Sequence, residues 1–358
     1  AAPFHWGDPN RPAYIVFTSG TSGTPRAVVH AHRAIMARQM MMRDWYDLHE
    51  EDRLCHAGAF NWTYTMGTGL MDPWTMGATA LIPGPGIDPS QLPLLLKRHD
   101  ATLIAAAPGV FRKLLGLGTP LSLPKLRHGF SAGEKLSETI RNTWRDRTGT
   151  ELYEAYGMSE CSTFISAAPS RPAPASALGF AQTGRRLAIL GPHGPVPIGE
   201  EGTIAVHLSD PGLMLEYLGA QDAMAERMQG EWFLTGDQAS MAEDGAISFL
   251  GRRDDMMNAG GYRVSPMEVA AVLNARPKLE QAAVTDIEVK QDARLIMAFY
   301  TGAAELDPDE LKAFTSARLA GYKCPRDFYF IDSLPTGANG KLSRRALRPI
   351  YKARHDQA

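Results

Sequence analysis

Short apolar runs alternate with amphipathic stretches through the first half of the chain. The apolar runs predict buried strands at residues 14–17, 79–82, 101–106 and 126–130. The stretches with helical spacing of apolar positions predict helices at residues 31–43, 89–98 and 108–115. Strands that alternate with helices in this way are typical of a mixed α/β domain.

The pattern changes from about Leu187 onward. Apolar runs between Gly/Pro turns predict a β-rich subdomain with strands at residues 187–190, 202–208 and 245–251. Beyond a polar cluster at residues 252–255, Ser265 and Asp307 each precede a proline and lie three residues before a glutamate, which marks two helix starts. We therefore predict two domains, an α/β domain over residues 1–253 and a small α+β domain over residues 254–358.

Composition narrows the class of protein. The 358 residues suffice for about two or three domains, and a net charge of −2 gives no case for nucleic acid or an anionic membrane. No apolar run approaches the roughly 20 residues of a membrane span, and the start has no signal-peptide pattern. Cys55, Cys161 and Cys324 form no CxxC pair, so we expect free thiols in a reducing cytoplasm.

A run of hydroxyl and glycine residues follows the first predicted strand. Glycine lets backbone N–H groups turn toward an anion, hydroxyls add donors, and an arginine pairs with phosphate. These types occur at Thr18, Ser19, Gly20, Thr21, Ser22, Gly23 and Arg26. The pattern does not fit a Walker loop. The alternative for such a run alone is a polar turn, which the closing cation and the motifs below disfavour.

The run resembles the phosphate loop of the adenylate-forming superfamily, which includes acyl-CoA synthetases, peptide-synthetase adenylation domains and luciferases. Arg26 and Ala27 replace the usual lysine and glycine. The resemblance implies a large mixed α/β domain with a β-rich subdomain, followed by a small mobile α+β domain. It covers nearly all of this chain but only the later part of a typical member, so we expect a fragment or an omitted earlier segment.

Three further motifs in the first domain carry the resemblance. Residues 131–135 match a turn that lines the adenine and acyl pocket, which assigns that role to Ala132, Gly133 and Glu134.

Residues 153–160 match Y-G-x-[ST]-E and imply nucleotide contacts by Glu154, Ala155, Tyr156, Gly157 and Ser159. Glu160 would hold Mg²⁺, which needs only one or two carboxylates besides phosphate. The alternative for Glu160 is a structural ion pair. Residues 235–237 match T-G-D, with Asp237 on the ribose.

Two motifs mark the second domain. Residues 251–263 resemble G-R-x-D-D-x-x-x-x-x-G-x-R, which places Arg252 at ribose or phosphate and Arg263 near the α-phosphate. Asp254 would be the hinge, and Gly260 and Gly261 would line the coenzyme A tunnel. Lys341 matches the terminal lysine that neutralises charge as the acyl-phosphate bond forms. A lone G-K pair is otherwise most often a solvated lysine.

Residues 59–69 are expected to line the acyl pocket, with Trp62 as an aromatic gate and Gly67 as a small wall residue. The segment has no fixed charge, which favours an apolar acid and resembles the benzoate and medium-chain branch. The chain is thus interpreted as an ATP-dependent acyl-CoA synthetase that uses ATP, Mg²⁺, coenzyme A and a carboxylic acid. Two alternatives stay open: an adenylation domain that loads a carrier protein, and an impaired nucleotide-binding fragment. Neither a G-x-S-x-G elbow nor metal-ligand spacing at His30 and His32 supports another class.

Overall fold

The computed structural model describes residues 5–18, 25–58, 60, 63–84, 86–118, 121–175, 177–253, 255–259, 262–290, 293–336 and 342–355, of which 258, 259, 262, 263, 289, 290, 293 and 355 are described by backbone only. The chain forms two compact units. Unit 1 comprises Ala1–Thr235 and Ser240–Ser248, and unit 2 comprises Gly236–Ala239 and Phe249–Ala358. The predicted boundary between residues 253 and 254 stays a prediction. None of the helices in the described ranges is long and apolar enough to cross a membrane.

The described strands are β1 Pro12–Thr18, β2 Arg26–Ala31, β3 Arg53–His56, β4 Thr79–Leu81, β5 Leu103–Ala106, β6 His128–Ala132, β7 Leu152–Met158, β8 Ser162–Ser166, β9 Gly179–Ala181, β10 Leu187–Gly191, β11 Gly194–Pro195, β12 Glu201–His207, β13 Glu216–Tyr217, β14 Met228–Gln229, β15 Trp232–Met241, β16 Ala246–Arg252, β17 Met257–Ala259, β18 Tyr262–Val264, β19 Leu279–Lys290, β20 Ala293–Gly302 and β21 Asp327–Phe330.

The described α-helices are α1 His32–Ala37, α2 Thr63–Met66, α3 Asp72–Thr75, α4 Leu92–Arg98, α5 Pro108–Gly116, α6 Glu138–Thr148, α7 Gln221–Ala225, α8 Pro266–Asn274, α9 Pro308–Ser316 and α10 Leu347–His355. Shorter 3₁₀ turns occur at Pro89–Gln91, Gly321–Lys323 and Arg344–Ala346, and π-helical turns at Met42–Tyr46 and Gly67–Met71.

The centre of unit 1 is a parallel sheet with the strand order β4-β3-β5-β6-β7, continued by antiparallel β8 and β9. Because the strands are parallel, His56, Ala106 and Ala132 all end their strands at the same edge. Ligands of open parallel sheets bind outside this carboxyl edge. The predicted pocket residue Ala132 therefore lies at the edge where a ligand is expected.

The two faces of this sheet bury different cores. Cys55 and Ile104 face a core closed by α4, α5 and α6, which contribute apolar residues such as Phe111 and Trp144. Leu54 and Ala105 face the other core, which holds Trp45, Tyr46, Tyr64, Phe130, Ala132 and Ala155. The period of two along β3 and β5 thus assigns each residue to one face. The second core is the one next to the predicted acyl and adenine residues.

Unit 2 has its own core. Antiparallel β19 and β20 form a sheet with parallel β21, and α8 packs on it through Val269 and Leu273. The predicted helix starts are confirmed: Ser265 accepts hydrogen bonds from the N–H groups of Met267 and Glu268, and Asp307 accepts one from Asp309 N. The mixed α/β fold with a smaller α+β part is likewise confirmed.

The predicted helix over residues 31–43 is wrong in extent. Helix α1 ends at Ala37, and a π-helical turn resumes at Met42–Tyr46. The interruption falls at Arg38, whose buried guanidinium binds both carboxylate oxygens of Asp72. A buried charge needs a partner, so this tertiary pair competes with the regular helix that periodicity alone favours.

Candidate nucleotide and acyl site

The ends of the predicted phosphate loop are held together by the β1–β2 pair. Thr18 at the end of β1 lies opposite Arg26 at the start of β2 in the antiparallel register. Ser19, Gly20, Thr21, Ser22 and Gly23 lie outside the described residues. The Arg26 guanidinium lies 5.3 Å from the centre of the Tyr217 ring, in the range of a cation–π contact. The two residues that flank the predicted loop are thus held opposite each other, and the Arg26 cation lies against an aromatic ring.

The motif glutamate sits on the turn between β7 and β8. Gly157 allows this turn, since a Cβ there would overlap the backbone of Ser162 and Thr163. His30 of β2 donates from Nε2 to the carbonyl of Ser159 over 2.7 Å. That bond ties the strand after the phosphate loop directly to the turn that carries Glu160.

The two oxygens of the Glu160 carboxylate have different surroundings. Oε1 accepts hydrogen bonds from the Tyr217 hydroxyl at 2.5 Å and from Arg227 Nη1 at 3.0 Å. Burial, reinforced by the Glu160 charge, raises the pKa of Tyr217, so its hydroxyl stays a donor. Among the described residues none donates to Oε2. The ion pair expected as the alternative is therefore present, and it leaves one carboxylate oxygen open.

Arg227 is itself fixed by the backbone. Its Nη2 donates to the carbonyl of Thr235 at 2.5 Å, and its Nε donates to the carbonyl of Leu234 at 3.1 Å. Three donors in a planar fork hold the guanidinium in one position. Arg227 consequently orients Glu160 without rotamer freedom of its own.

Residues 132–135 form a turn attached to β7. Gly133 has a φ of 96°, which disfavours other residues there. Glu154 is buried and accepts hydrogen bonds from Lys135 Nζ and Leu136 N, each at 2.9 Å. Burial raises the pKa of Glu154, and the Lys135 charge opposes that shift. The Glu154 carboxylate thus anchors the turn and is engaged within the protein. A nucleotide contact by Glu154 would therefore have to come from its backbone.

Three further predicted residues, Ala132, Ala155 and Tyr156, lie on the neighbouring strands β6 and β7. Ala132 and Ala155 are paired across β6 and β7 and are both buried. Tyr156 packs edge to face on Phe164, with ring centres 5.3 Å apart. The sheet therefore brings together the two motifs that were predicted to contact adenine.

The predicted acyl segment surrounds a π-helical turn that begins at Gly67. The Arg38 guanidinium occupies the space that a Cβ of Gly67 would need, so only glycine fits there. Tyr46 donates to Asp72 at 2.9 Å and contacts the hydroxyl of Thr68 at 2.7 Å, which completes a buried polar cluster behind this wall. Trp62 lies outside the described residues.

Two predicted nucleotide residues belong to unit 2. Asp237 Oδ1 and Arg252 Nε lie 3.5 Å apart, so the predicted ribose ligands form an ion pair. Gly236 has a φ of 81° and accepts a hydrogen bond from Arg253 N at 2.8 Å. Arg263 is described by backbone only, and Asp254, Gly260, Gly261 and Lys341 lie outside the described residues.

Sequence reasoning missed the residues that hold the site. Tyr217, Arg227 and His30 contact the Glu160 turn, but they belong to no motif. Arg227 lies 67 positions from Glu160 in the sequence. A pairing over that separation leaves no local spacing signal, and the sequence around His30 gives no sign that its side chain is buried.

Two family models match the chain. The model of the AMP-binding enzyme matches residues 1–218, and that of the AMP-binding enzyme C-terminal domain matches residues 268–341. The chain belongs to the AMP-binding enzyme family. The resemblance inferred from the phosphate loop and the later motifs is thereby confirmed.

Named relatives and a solved structure agree with this placement. The chain is 29% identical to mitochondrial acyl-coenzyme A synthetase ACSM3 of Rattus norvegicus over 93% of this chain and 60% of that protein. It is 33% identical to mitochondrial acyl-coenzyme A synthetase ACSM1 of Mus musculus over 94% of this chain and 61% of that protein. The chain thus spans about 60% of the length of these relatives.

The structure of the anthranilate CoA ligase AuaEII in complex with anthranoyl-AMP is similar in fold. It superposes with a TM-score of 0.87 and 28% identity, covering 97% of this chain and 68% of that one.

Proposed function

We propose that this chain carries the adenylate-forming site of an ATP-dependent acyl-CoA synthetase. In the first step a substrate carboxylate attacks the α-phosphorus of ATP, and the bond to the β-phosphate breaks with release of pyrophosphate. In the second step the sulfur of coenzyme A attacks the acyl carbonyl, and AMP leaves. The relatives named as acyl-coenzyme A synthetases support this reaction class.

The observation that carries the proposal is the connection of the phosphate loop to the motif glutamate. Arg26 lies over Tyr217, and Tyr217 donates to Glu160. A cation for phosphate and a carboxylate for a metal are thus held by one shared aromatic residue. This is the pair of charges that binding of a metal–triphosphate needs.

The residues present fit Mg²⁺. The open Oε2 of Glu160 is a hard oxygen ligand, and magnesium sites in nucleotide enzymes combine one or two carboxylates with phosphate oxygens and water. In the part of the chain that the structure describes, no group of three or more acidic, histidine or cysteine side chains would hold a metal without such a nucleotide. When bound, Mg²⁺ would neutralise charge on the phosphates of ATP.

The remaining candidate residues keep the roles that the sequence motifs predict for them. Asp237 and Arg252 would contact the ribose, Arg263 and Lys341 the α-phosphate side, and Gly260 and Gly261 the coenzyme A tunnel. Asp254 would be the hinge between the domains.

Aromatic and medium-chain acids are the favoured substrates. The acyl segment carries no fixed charge, and the named anthranilate CoA ligase acts on an aromatic acid. The cytoplasmic location is a proposal from the cysteine pattern alone, and the two named relatives are mitochondrial.

Pyrophosphate exchange into ATP, measured with a panel of carboxylic acids, tests the first step. We expect Glu160→Gln to lower acid-dependent exchange by about 10²–10³-fold, the usual loss for one well-placed charge at a reacting phosphate, and to raise the Mg²⁺ concentration needed for half-maximal exchange. Glu151→Gln, at a half-exposed carboxylate one residue before β7, is the matched control. Unchanged exchange in Glu160→Gln would remove Glu160 from the site.

The second step distinguishes the synthetase from a carrier-protein loading domain, and the first step distinguishes it from an impaired fragment. Transfer to free coenzyme A supports the synthetase, and transfer only to a carrier-protein phosphopantetheine supports a loading domain. Nucleotide binding without exchange for any acid identifies an impaired fragment and contradicts the proposal.

A further inference from the structure

Tyr217 is an almost fully buried residue that a sheet holds beside the predicted phosphate loop. It lies on β13, which pairs with β2, and 1% of its surface is exposed. Two residues before it, Leu215 N donates to the carbonyl of Val29 at 2.8 Å. One residue after it, Leu218 N donates to the carbonyl of Ala27 at 2.9 Å. The strand that follows the loop therefore fixes the backbone on both sides of Tyr217.

The ring of Tyr217 holds a cation without neutralising it. The Arg26 guanidinium lies 5.3 Å from the ring centre, and no carboxylate in the described ranges forms an ion pair with it. An aromatic face attracts a guanidinium through its quadrupole and leaves the positive charge uncompensated. The Arg26 charge therefore stays available for an anion from outside the protein, whereas that of Arg227 is paired with Glu160.

The hydroxyl of the same residue holds the motif carboxylate. It donates to Glu160 Oε1 at 2.5 Å and accepts from Arg227 Nη1 at 2.7 Å. Arg227 Nη1 also donates to the same carboxylate oxygen at 3.0 Å, which closes a hydrogen-bonded triangle of the three side chains. The two bonds to Oε1 together restrict the rotation of the Glu160 carboxylate.

We propose that Tyr217 is a positioning residue with two separable actions on bound Mg·ATP. Its hydroxyl orients the Glu160 carboxylate for the metal, and its ring orients the Arg26 guanidinium for the triphosphate. This inference rests on the proposed function and adds that one side chain joins metal binding to phosphate binding. Removal of a group that orients a metal ligand typically changes metal affinity or activity by about 10–100-fold.

Two substitutions at this position separate the two actions. Tyr217→Phe removes the hydroxyl and keeps the ring, so it should disturb Glu160 and leave Arg26 in place. Arg227 still bonds Glu160 in that variant, so the carboxylate keeps its counter-charge and the variant should fold. Tyr217→Leu removes the hydroxyl and the ring, and it should disturb both partners.

Calorimetric titration with ATP, without carboxylic acid or coenzyme A, measures these effects as binding. One series contains Mg²⁺, and the other contains EDTA. We expect Tyr217→Phe to raise the Kd of ATP by about tenfold or more with Mg²⁺ and by less than about twofold with EDTA. Tyr217→Leu should raise the Kd in both series, by about three- to tenfold with EDTA, as the loss of one cation–π contact allows.

A double variant shows whether the ring acts through Arg26. Arg26→Gln alone should raise the Kd of metal-free ATP, because it removes a cation that can pair with phosphate. In the Arg26→Gln background, Tyr217→Leu should raise that Kd by less than about twofold more, since changes at two residues in contact are not additive. Full additivity would overturn the assignment of the ring to Arg26.

Tyr300→Phe is the matched control for the loss of a buried tyrosine hydroxyl. Tyr300 lies in the core of unit 2 with 2% of its surface exposed, and its hydroxyl bonds the backbone of Leu306. This variant should lower the Tm without a change in either Kd. A purely structural role of Tyr217 would instead change the two Kd values of its variants together.

Two results would overturn the inference: Tyr217→Phe raises the Kd of ATP equally in both series, or it raises the Kd in neither. Pyrophosphate exchange by the wild-type protein separates this failure from that of the proposed function. If exchange occurs and the metal-dependent difference is absent, the inference fails and the synthetase stands. If the difference is present but no acid supports exchange, Tyr217 keeps its role and the synthetase fails. Absence of ATP binding to the wild-type protein rejects both.

Discussion

Arg38 and Asp72 form a charged pair that is almost fully buried. Two charge-assisted hydrogen bonds, of 2.7 and 2.6 Å, join them, and Tyr46 donates to the same carboxylate. Removing one member of such a pair leaves a buried charge uncompensated. Each member of the pair therefore stabilises the fold mainly because it neutralises the buried charge of the other, and less through the net attraction between them.

We expect Asp72→Asn to lower the free energy of unfolding by about 3–5 kcal/mol. The double variant Arg38→Met/Asp72→Leu should lose less, because neither charge remains. Denaturant unfolding measures both. Glu138→Gln, at the more exposed pair with Arg141, is the control and should stay within about 1 kcal/mol. A loss in the double variant as large as in Asp72→Asn would mean that packing rather than charge sets the cost.

Buried histidines make stability depend on pH. Burial lowers the pKa of His30 to about 4 and that of His56 to about 3, from 6.5 in an exposed chain. Between these values the unfolded chain binds protons that the folded chain excludes, so stability is full above pH 6.5 and falls as the pH drops toward 4. Each pKa unit corresponds to about 1.4 kcal/mol.

Unfolding free energies measured from pH 7.5 to 4.5 check this expectation. The slope should be shallower in His56→Leu than in the wild type, because one of the buried histidines with a lowered pKa is gone. The same slope in both proteins would show that His56 protonates freely in the folded state.

At the scale of the elements, the sequence predicts a helix start correctly where bonds within that helix determine it. The caps at Ser265 and Asp307 specify the starts of α8 and α9 through bonds to their own first turns. The apolar runs correctly predicted β4, β5 and β6 of the parallel sheet, but they did not predict β3 or β7. The interruption of the predicted helix at Arg38 is not predictable from local spacing, because the partner of Arg38, Asp72, lies 34 positions away in the sequence.

The turn between β7 and β8 requires glycine at position 157, because the turn has no room for a side chain there. A Cβ there would collide with the backbone of β8, whereas a Cβ at Gly116 in α5 would meet open space. We expect Gly157→Ala to destabilise the fold by several kcal/mol, on the order of other overpacking and backbone-strain changes. Gly116→Ala should be neutral or stabilising by up to about 1 kcal/mol.

Thermal unfolding and pyrophosphate exchange should be measured on both glycine variants. If Gly157→Ala folds, displacement of the turn should lower exchange more than Gly116→Ala does, since Glu160 follows three residues later. Equal stability of the two variants would contradict the close approach of β7 and β8.

At the scale of the whole molecule, motifs gave the family and the two-part organisation, but they did not give the support of the site. The phosphate-loop pattern and the Y-G-x-[ST]-E match predict Arg26 and Glu160 as ligands of the nucleotide and its metal. The residues that hold them, Tyr217 and Arg227, have no motif because only the folded chain brings them near. A motif can predict candidate ligands because their residue types and spacing are set by the chemistry, whereas the tertiary partners of those candidates follow no spacing rule.

The division into two units suggests a test of the predicted hinge at Asp254. The N–H groups of Arg253, Asp255 and Met256 are engaged in backbone bonds, to Gly236 or to Arg252, so a proline at residue 254 removes none of these donors. It fixes φ near −65° and restricts Arg253 to extended backbone. A hinge must absorb a large backbone change at one or two residues, so Asp254→Pro should trap one orientation.

We expect Asp254→Pro to keep acyl-AMP formation and to slow thioester formation by orders of magnitude, because only the second step would need the other orientation. Single-turnover assays with ATP and acid, and separately with supplied acyl-AMP and coenzyme A, measure the two steps. Asp254→Ala removes the same carboxylate but leaves φ free, so it should retain both steps. If the alanine variant loses the second step as well, the carboxylate acts chemically, and if the proline variant loses neither, the pivot lies at another residue.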